Sequence, residues 1–325
     1  PTALAPHYEP LSRTRALEGA KARIRPILLR ARERGAHVHF DMEHHAAKDV
    51  TLVLFRELLS EPELAGVHAG IVVQAYLRDA RDDLADLIAW AARREGPPIT
   101  VRLVKGAYWD QETITAQANG WTPPVFQAKD ETDASYERCV RLLHDHHGTV
   151  RAAFASHNLR SLAHAIAYAR HLGIPDGGYE LQMLYGMAEP IHAAVARLGL
   201  RLRVYGPVGE LVPGMAYLVR RLLENTSNES FVRHRFAEGR DLDELLAPPR
   251  VDRLPGPTES PVVEPTDEAA PRPYRPEPLR EWWRGSARAA FAVAVDRWRD
   301  ADPIGVPALI AGEEVTTGQT ITSVD

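Results

Sequence analysis

The stretch Val101-Arg102-Leu103-Val104-Lys105-Gly106-Ala107-Tyr108-Trp109-Asp110 sets two cations, a glycine and two aromatic rings at the end of an apolar run. That set suits an anionic or electron-rich cofactor. Arg102 could hydrogen-bond a ring, Lys105 could offset phosphate or charge developing on the ring, and Gly106 lets backbone come close. The alternative is a pair of salt-bridged cations on a rim. In Tyr217-Leu218-Val219-Arg220-Arg221-Leu222-Leu223-Glu224-Asn225, adjacent arginines interrupt an apolar helix. Neighbouring positions point about 100° apart, yet two guanidiniums can converge on one carboxylate if the helix crosses a site. The alternative is an Arg220 to Glu224 pair with Arg221 solvated. Asp41, before Met42-Glu43-His44-His45, is either a carboxylate for an ammonium or catalytic lysine, or a helix N-cap. His157 in Ala155-Ser156-His157-Asn158 either touches a cofactor or caps the next helix.

The clustered histidines, His44-His45 and His144-Asp145-His146-His147, raise a metal reading. The second cluster closes a helix before Gly148, where histidines suit the negative end of the dipole, so no metal site is assigned. Cys139 shares that helix with Val140 and Leu143 and reads as a packed residue. No G-x-S-x-G elbow, G-x-G-x-x-G fingerprint or Walker A sequence is present.

These residues must be held by a repeating scaffold. From about residue 13 to 246, helical spacing alternates with short apolar runs. Ala16 to Arg34 puts Leu17, Ala20, Ile24, Ile27, Leu28 and Ala31 on one face, with Gly35 as a C-cap. Strands are expected at 37–41, 70–76, 99–104, 152–156, 179–184 and 202–205, with a seventh at Ser230-Phe231-Val232. Parallel βα order leaves a (β/α)₈ barrel or an open doubly wound sheet. The barrel is preferred, because polar residues recur at the C-terminal ends of nearly every strand: Asp41, Gln74, Arg102 with Lys105, His157 with Asn158, and Tyr205. A barrel needs eight strands, and Pro1-Thr2-Ala3-Leu4 would be only the tail of the first.

Ten of the 25 prolines fall in residues 248–278, which reads as an extended linker. A helix around Trp282 to Trp298 and a strand, Gly-Glu turn and strand over Pro307 to Val315 follow. The expected organisation is a barrel over 1–246, a Pro-rich linker over 247–279, and the start of another domain over 280–325. The chain reads as a piece of something longer.

Composition narrows the partners. With 39 Lys+Arg against 44 Asp+Glu, the net charge of −5 gives no polyanion-binding balance, so no nucleic-acid partner is expected. A hydrophobic fraction of 45% supports a sizeable core. One cysteine points to a reducing compartment, and no apolar run suits a membrane span.

Four stretches in register resemble the proline dehydrogenase family: Val101 to Trp109, Tyr179-Glu180-Leu181-Gln182-Met183-Leu184-Tyr185-Gly186-Met187, Arg203-Val204-Tyr205-Gly206-Pro207-Val208-Gly209, and Leu218 to Asn225. The likeness covers about residues 1 to 235. The tail, Ile310-Ala311-Gly312-Glu313-Glu314-Val315 with Thr317-Gly318, resembles the opening of an aldehyde dehydrogenase of the glutamate-semialdehyde type. Both joined by a proline-rich linker resemble the bifunctional proline utilization A enzymes.

The resemblance implies a (β/α)₈ barrel holding FAD, with L-proline oxidised to Δ¹-pyrroline-5-carboxylate and electrons passed to a membrane quinone. NAD would serve only the incomplete aldehyde dehydrogenase. It assigns Arg220 and Arg221 to the substrate carboxylate, Tyr205 and Leu184 to the walls around the proline ring, and Glu224 to a place beside the arginine pair. Asp41, Arg102 and Tyr205 take the catalytic positions, Arg102 near flavin N5. Met42, Gln74, Arg102, Val104, Lys105, Gly106, Trp109, Ser156, His157 and Asn158 match flavin-contacting positions. The family's active-site lysine, at the end of the first barrel strand, precedes Pro1. The expected location is cytoplasmic, with peripheral contact at the inner face of the membrane, and a homo-oligomer is left open. The competing readings are a truncated, non-catalytic barrel that binds a ligand or partner, and another barrel enzyme acting on a carboxylate.

Overall fold

The structure is a computed structural model that describes residues 1–226, 241–257, 279–299, 301–302, 305–316 and 318, without the side chains of 213, 216, 221–226, 242 and 244. The chain divides into two compact units, Pro1–Trp283 and Arg284–Asp325.

In the first unit, α1 (Arg13–Arg34) ends at Gly35, whose φ of 62° is the left-handed C-cap conformation that glycine adopts without a Cβ clash. It leads to β1 (Val38–Phe40), α2 (His45–Leu59), β2 (Ala69–Gln74), α3 (Ala80–Ala91) and β3 (Thr100–Val104). Then follow α4 (Trp109–Ala118), α5 (Lys129–Asp145), β4 (Arg151–Ala155), α6 (Leu159–His171), β5 (Tyr179–Leu184), α7 (Glu189–Arg197) and β6 (Leu202–Tyr205). Helices α8 (Leu211–Thr226) and α9 (Leu242–Leu246) close the series.

The six strands form one parallel sheet in the order β1-β2-β3-β4-β5-β6. A doubly wound sheet reverses its strand order at a switch point, whereas a barrel winds onward one strand at a time. The unreversed order therefore decides for barrel winding, here a curled half-barrel of six strands. Expected strands and observed ones agree within two residues at each end. The proposed seventh, Ser230-Phe231-Val232, lies outside the described residues. Pro1 to Leu4 is a turn rather than the tail of a strand: the amides of Leu4 and Ala5 both bond the Pro1 carbonyl, at 2.9 and 3.1 Å.

Register assigns each side of the sheet its character. Val72, Arg102, Ala153 and Glu180 lie abreast across β2 to β5, and Gln182 lies abreast of Arg203. The alternate residues face the helices: Phe40, Ile71, Val73, Val101, Leu103, Phe154, Leu181 and Met183 are buried. Phe40 meets Phe55 of α2 edge-on at 5.1 Å. Each such side chain contributes roughly 1.5–3 kcal/mol on full burial. On α1, the expected apolar face holds except at Ile27, which is 44% exposed. It sits at the margin of the stripe, where the 3.6-residue period has turned it out of the contact with α2.

Residues 279–283 complete the first unit. The Trp121 indole N–H donates to the Leu279 carbonyl at 3.0 Å, and the Trp283 ring meets Trp121 and His45 edge-on at 4.9 and 5.3 Å. The helix expected from Trp282 accordingly starts later, as α10 (Gly285–Arg299), because the two tryptophans are engaged in a turn. The second unit adds an antiparallel hairpin of β7 (Ala308–Ile310) and β8 (Glu313–Val315), turning at Ala311-Gly312 rather than Gly-Glu. Residues 251–257 carry no helix or strand. No described helix is long and apolar enough to cross a membrane.

Candidate active site

The C-terminal strand ends surround a cavity of about 760 Å³. Parallel strands bring all their C-terminal ends to one rim, so residues far apart in sequence meet there. β1 delivers Asp41 and Met42, β2 delivers Gln74, and β3 with its following loop delivers Arg102, Val104, Lys105, Gly106 and Trp109. β4 delivers Ser156, His157 and Asn158, β5 delivers Leu184, β6 delivers Tyr205, and α8 delivers Arg220. Every expected site residue whose side chain is described lines this one cavity. Arg221 and Glu224 have side chains outside the described residues.

Arg102 is held on two edges. Its Nη1 donates to Asp41 Oδ1 at 2.6 Å and its Nε donates to Gln182 Oε1 at 2.6 Å. Asp41 is thus the partner of Arg102 and not an N-cap, since α2 begins four residues later with His44 at its cap position. Lys105 pairs with Asp133, which Lys129 also bonds at 2.6 Å, and its Nζ stands 5.9 Å from the centre of the Tyr136 ring. Burial lowers the Lys105 ammonium below the usual lysine range. Burial alone would raise Asp133, but Lys105 and Lys129 outweigh it and hold the carboxyl low. The salt-bridged reading of both cations is therefore met, and both still face the cavity.

Asn158 caps α6, its Oδ1 accepting from the Ser161 amide at 3.1 Å, while Ser156 Oγ accepts from the Asn158 amide at 3.1 Å. His157 does not cap: its Nε2 accepts from the Leu184 amide at 3.1 Å, which ties the end of β4 to the end of β5. Gln74 is 3% exposed; its Nε2 donates to the Glu43 carbonyl at 3.1 Å, and its Oε1 is buried without a partner. A buried acceptor of this kind at a cavity wall is available to a donor on a bound molecule. Trp109 donates from its indole N–H to the Phe126 carbonyl at 2.7 Å, leaving its ring 40% exposed. The Arg220 guanidinium stands 5.3 Å from the centre of the Tyr108 ring.

Gly106 has φ 139°, and a Cβ there would come 2.4 Å from the Tyr76 ring. The close approach expected at this glycine is thus an approach to Tyr76. Gly106→Ala should lower stability by about 2 kcal/mol through strain and overpacking. Thermal unfolding checks this; an unchanged midpoint would show that the loop relaxes freely.

The histidines have local roles. His44 packs on Tyr108 at 4.7 Å, and His144 is buried with Nε2 3.1 Å from the Ala165 carbonyl and its ring 4.8 Å from Phe154. Burial pushes His144 down to about 4. Cys139 is buried, and burial pushes its thiol up to about 12, a packed residue as expected. Among the described residues no group of three His, Cys, Asp or Glu side chains could hold a metal ion.

Sequence reasoning assigned no role to Gln182, Asp133, Tyr108 and Tyr217 in the cavity wall, nor to Glu180 and Arg203, which bond one another behind Gln182. One signal was available: Glu180 and Gln182 alternate with Leu181 and Met183, so polar groups share one face of an otherwise buried strand.

The model of the family described as proline dehydrogenase matches residues 4–234. The bifunctional protein PutA of Escherichia coli (strain K12) is 38% identical over 259 residues, covering 76% of this chain and 19% of the relative. The proline dehydrogenase of Deinococcus radiodurans is 32% identical over 208 residues, 64% of this chain and 60% of that protein. Among solved structures, proline utilization A from Bdellovibrio bacteriovorus inactivated by N-propargylglycine superposes with a TM-score of 0.83 at 43% identity, covering 98% of this chain and 32% of that one. The chain thus spans about a fifth of the length of the PutA relatives. A family match running through every strand of the parallel sheet leads to one conclusion: the chain belongs to the proline dehydrogenase family.

Proposed function

We propose that residues 1–246 are an FAD-dependent proline dehydrogenase domain that oxidises L-proline to Δ¹-pyrroline-5-carboxylate and passes the electrons to a membrane quinone. The observation that carries this reading is the convergence of Asp41, Gln74, Arg102, Lys105, His157, Leu184, Tyr205 and Arg220 on one cavity. Residues 247–279 are the linker, and 280–325 open an aldehyde dehydrogenase domain within a longer bifunctional protein, the only part that would use NAD. The relatives named bifunctional protein PutA support this placement. The quinone sets the work in the cytoplasm at the inner face of the membrane.

The residues fit FAD. The unpartnered Gln74 Oε1 offers an acceptor to a ring N–H, and Arg102 and Lys105 supply cations on the β3 side. Met42, Val104, Trp109, Ser156, His157 and Asn158 would complete the holding set, beside the backbone of Gly106. FAD, when bound, supplies the two-electron acceptor for the hydride that leaves the ring carbon next to nitrogen. Arg220, with Arg221, binds the substrate carboxylate, and Tyr205 and Leu184 wall the ring. Arg102 presents a fixed positive charge where negative charge grows during reduction, and Asp41 keeps that guanidinium on the cavity side.

The test is the visible spectrum of the purified chain before and after anaerobic L-proline. A flavin band that bleaches is the expected result. A flavin band that persists would leave only cofactor binding. A protein that stays colourless with added FAD would favour the non-catalytic barrel.

A further inference from the structure

Behind Arg102 runs a chain of hydrogen bonds that converges on the Glu180 carboxylate. Arg203 donates from Nε and Nη2 to the two Glu180 oxygens, each at 2.9 Å. Gln182 donates from Nε2 to Glu180 Oε1 at 2.5 Å and accepts at Oε1 from Arg102 Nε at 2.6 Å. We propose that Gln182 and Glu180 are positioning residues that fix the plane of the Arg102 guanidinium toward the reacting ring. The proposal rests on the flavin reading above and deepens it.

A guanidinium only donates and a carboxylate only accepts, so the amide between them has one workable orientation. Glu180, clamped by Arg203, sets it, and Gln182 then meets Arg102 with oxygen. The amide is 5% exposed and Glu180 8%, whereas the Asp41 side chain on the other edge is 58% exposed. Water screens the Asp41 contact, so the Gln182 contact is the firmer of the two. Two bonds on different edges of a planar cation fix its rotation, which one bond does not. The polar residues also keep to the cavity face of β5, while Leu181 and Met183 fill the core on the other.

The test compares Gln182→Met and Gln182→Glu with the wild-type chain, all loaded with FAD. The readouts are the flavin midpoint potential from pH 6.5 to 8.5, flavin affinity, and KM and kcat for proline. Gln182→Met keeps the length and removes both polar atoms. Its expected result is a tenfold weaker preference for reduced over oxidised flavin, about 30 mV for a two-electron couple, with KM within about twofold of wild type.

Gln182→Glu gives a signature that mere filling would not. Protonated, the new carboxyl reproduces the amide, donating to Glu180 and accepting from Arg102. Ionised, it sets two carboxylates together and offsets the charge of Arg102. Its deficit against wild type should therefore be largest at pH 8.5 and shrink as pH falls. The groups facing this position are Arg102, Glu180 and Arg203, with His39 of β1 and His37 just before that strand. Burial and neighbouring arginines hold both histidines below the usual value, His39 at about 3, so His39 gains no charge in this range and His37 is biased toward its neutral form.

Variants that keep the wild-type potential at every pH and lose only thermal stability would overturn the positioning role alone. A wild-type chain that takes up no flavin would overturn the functional reading and this proposal with it.

Discussion

Arg220→Ala is expected to raise KM for proline about a hundredfold, ~2.7 kcal/mol, while flavin stays bound. Arg220 reaches the cavity from α8, so a ring held in that cavity would present its carboxylate to the helix. A fork of N–H donors on a carboxylate is among the stronger polar contacts, and nothing else described on that helix replaces it. The residue's structural worth is small by comparison. Its side chain is exposed, and the contact with Tyr108 at 5.3 Å is worth about 0.5–1 kcal/mol at such a site. The variant should therefore unfold near the wild-type temperature. Arg220→Lys keeps the charge and loses the fork, so an intermediate loss of about tenfold is expected. Steady-state kinetics with flavin absorbance recorded on the same samples checks both. Release of flavin with KM unchanged would move Arg220 from the substrate to the cofactor.

How far the sequence revealed this site follows from the range of the interactions involved. Strands were legible because their pattern is local: Tyr179–Leu184, which is buried, and Leu202–Tyr205, which is largely exposed, both stand where the pattern puts them. Site residues at strand ends were legible because parallel topology converts a repeated position in sequence into one rim in space. Their partners were not. Asp133 reaches Lys105 across 28 residues and Gln182 reaches Arg102 across 80, and no local periodicity encodes such pairs. The resemblance to a family supplied roles for the residues in its motifs, and so passed over Gln182, which lines the cavity beside Arg102, and Glu180 behind it, though both lie inside a quoted motif. Trp283 was misplaced in a helix for the same reason, since its contacts lie with His45 and Trp121.

The ion cluster around Lys48 was equally hidden, and it underlies the largest expected loss of stability. Lys48 of α2 is 4% exposed and bonds Asp79 and Asp83 at 2.6 Å each, with Asp49 at 3.2 Å. Asp79 stands at the N-cap position of α3 and Asp83 lies in its first turn, where the helix dipole favours negative charge. Burial raises Asp83 to about 6, the nearby Asp79 charge adding to the rise. Burial would raise Asp79 also, but the His45 imidazole and Lys48 outweigh it and hold that carboxyl below the usual range. The Asp79 contribution is present above about pH 4 and fades as pH falls through its folded value. The Lys48 contribution, from an ammonium raised by its carboxylates, persists throughout the neutral range.

Lys48→Met removes the cation and leaves both carboxylates facing each other in the α2–α3 contact, a loss of about 3–5 kcal/mol at pH 7.5. Without the cation both carboxyls rise in the folded state, which then binds protons more readily than the unfolded chain. The loss should accordingly shrink as pH is lowered from 7.5 toward 5. Adding Asp79→Asn and Asp83→Asn should restore most of the stability at pH 7.5, because amides leave no charge to neutralise. Urea midpoints at the two pH values measure all three outcomes. A loss below about 1 kcal/mol, or one that does not change with pH, would mean that water reaches the cluster and screens it as at a surface.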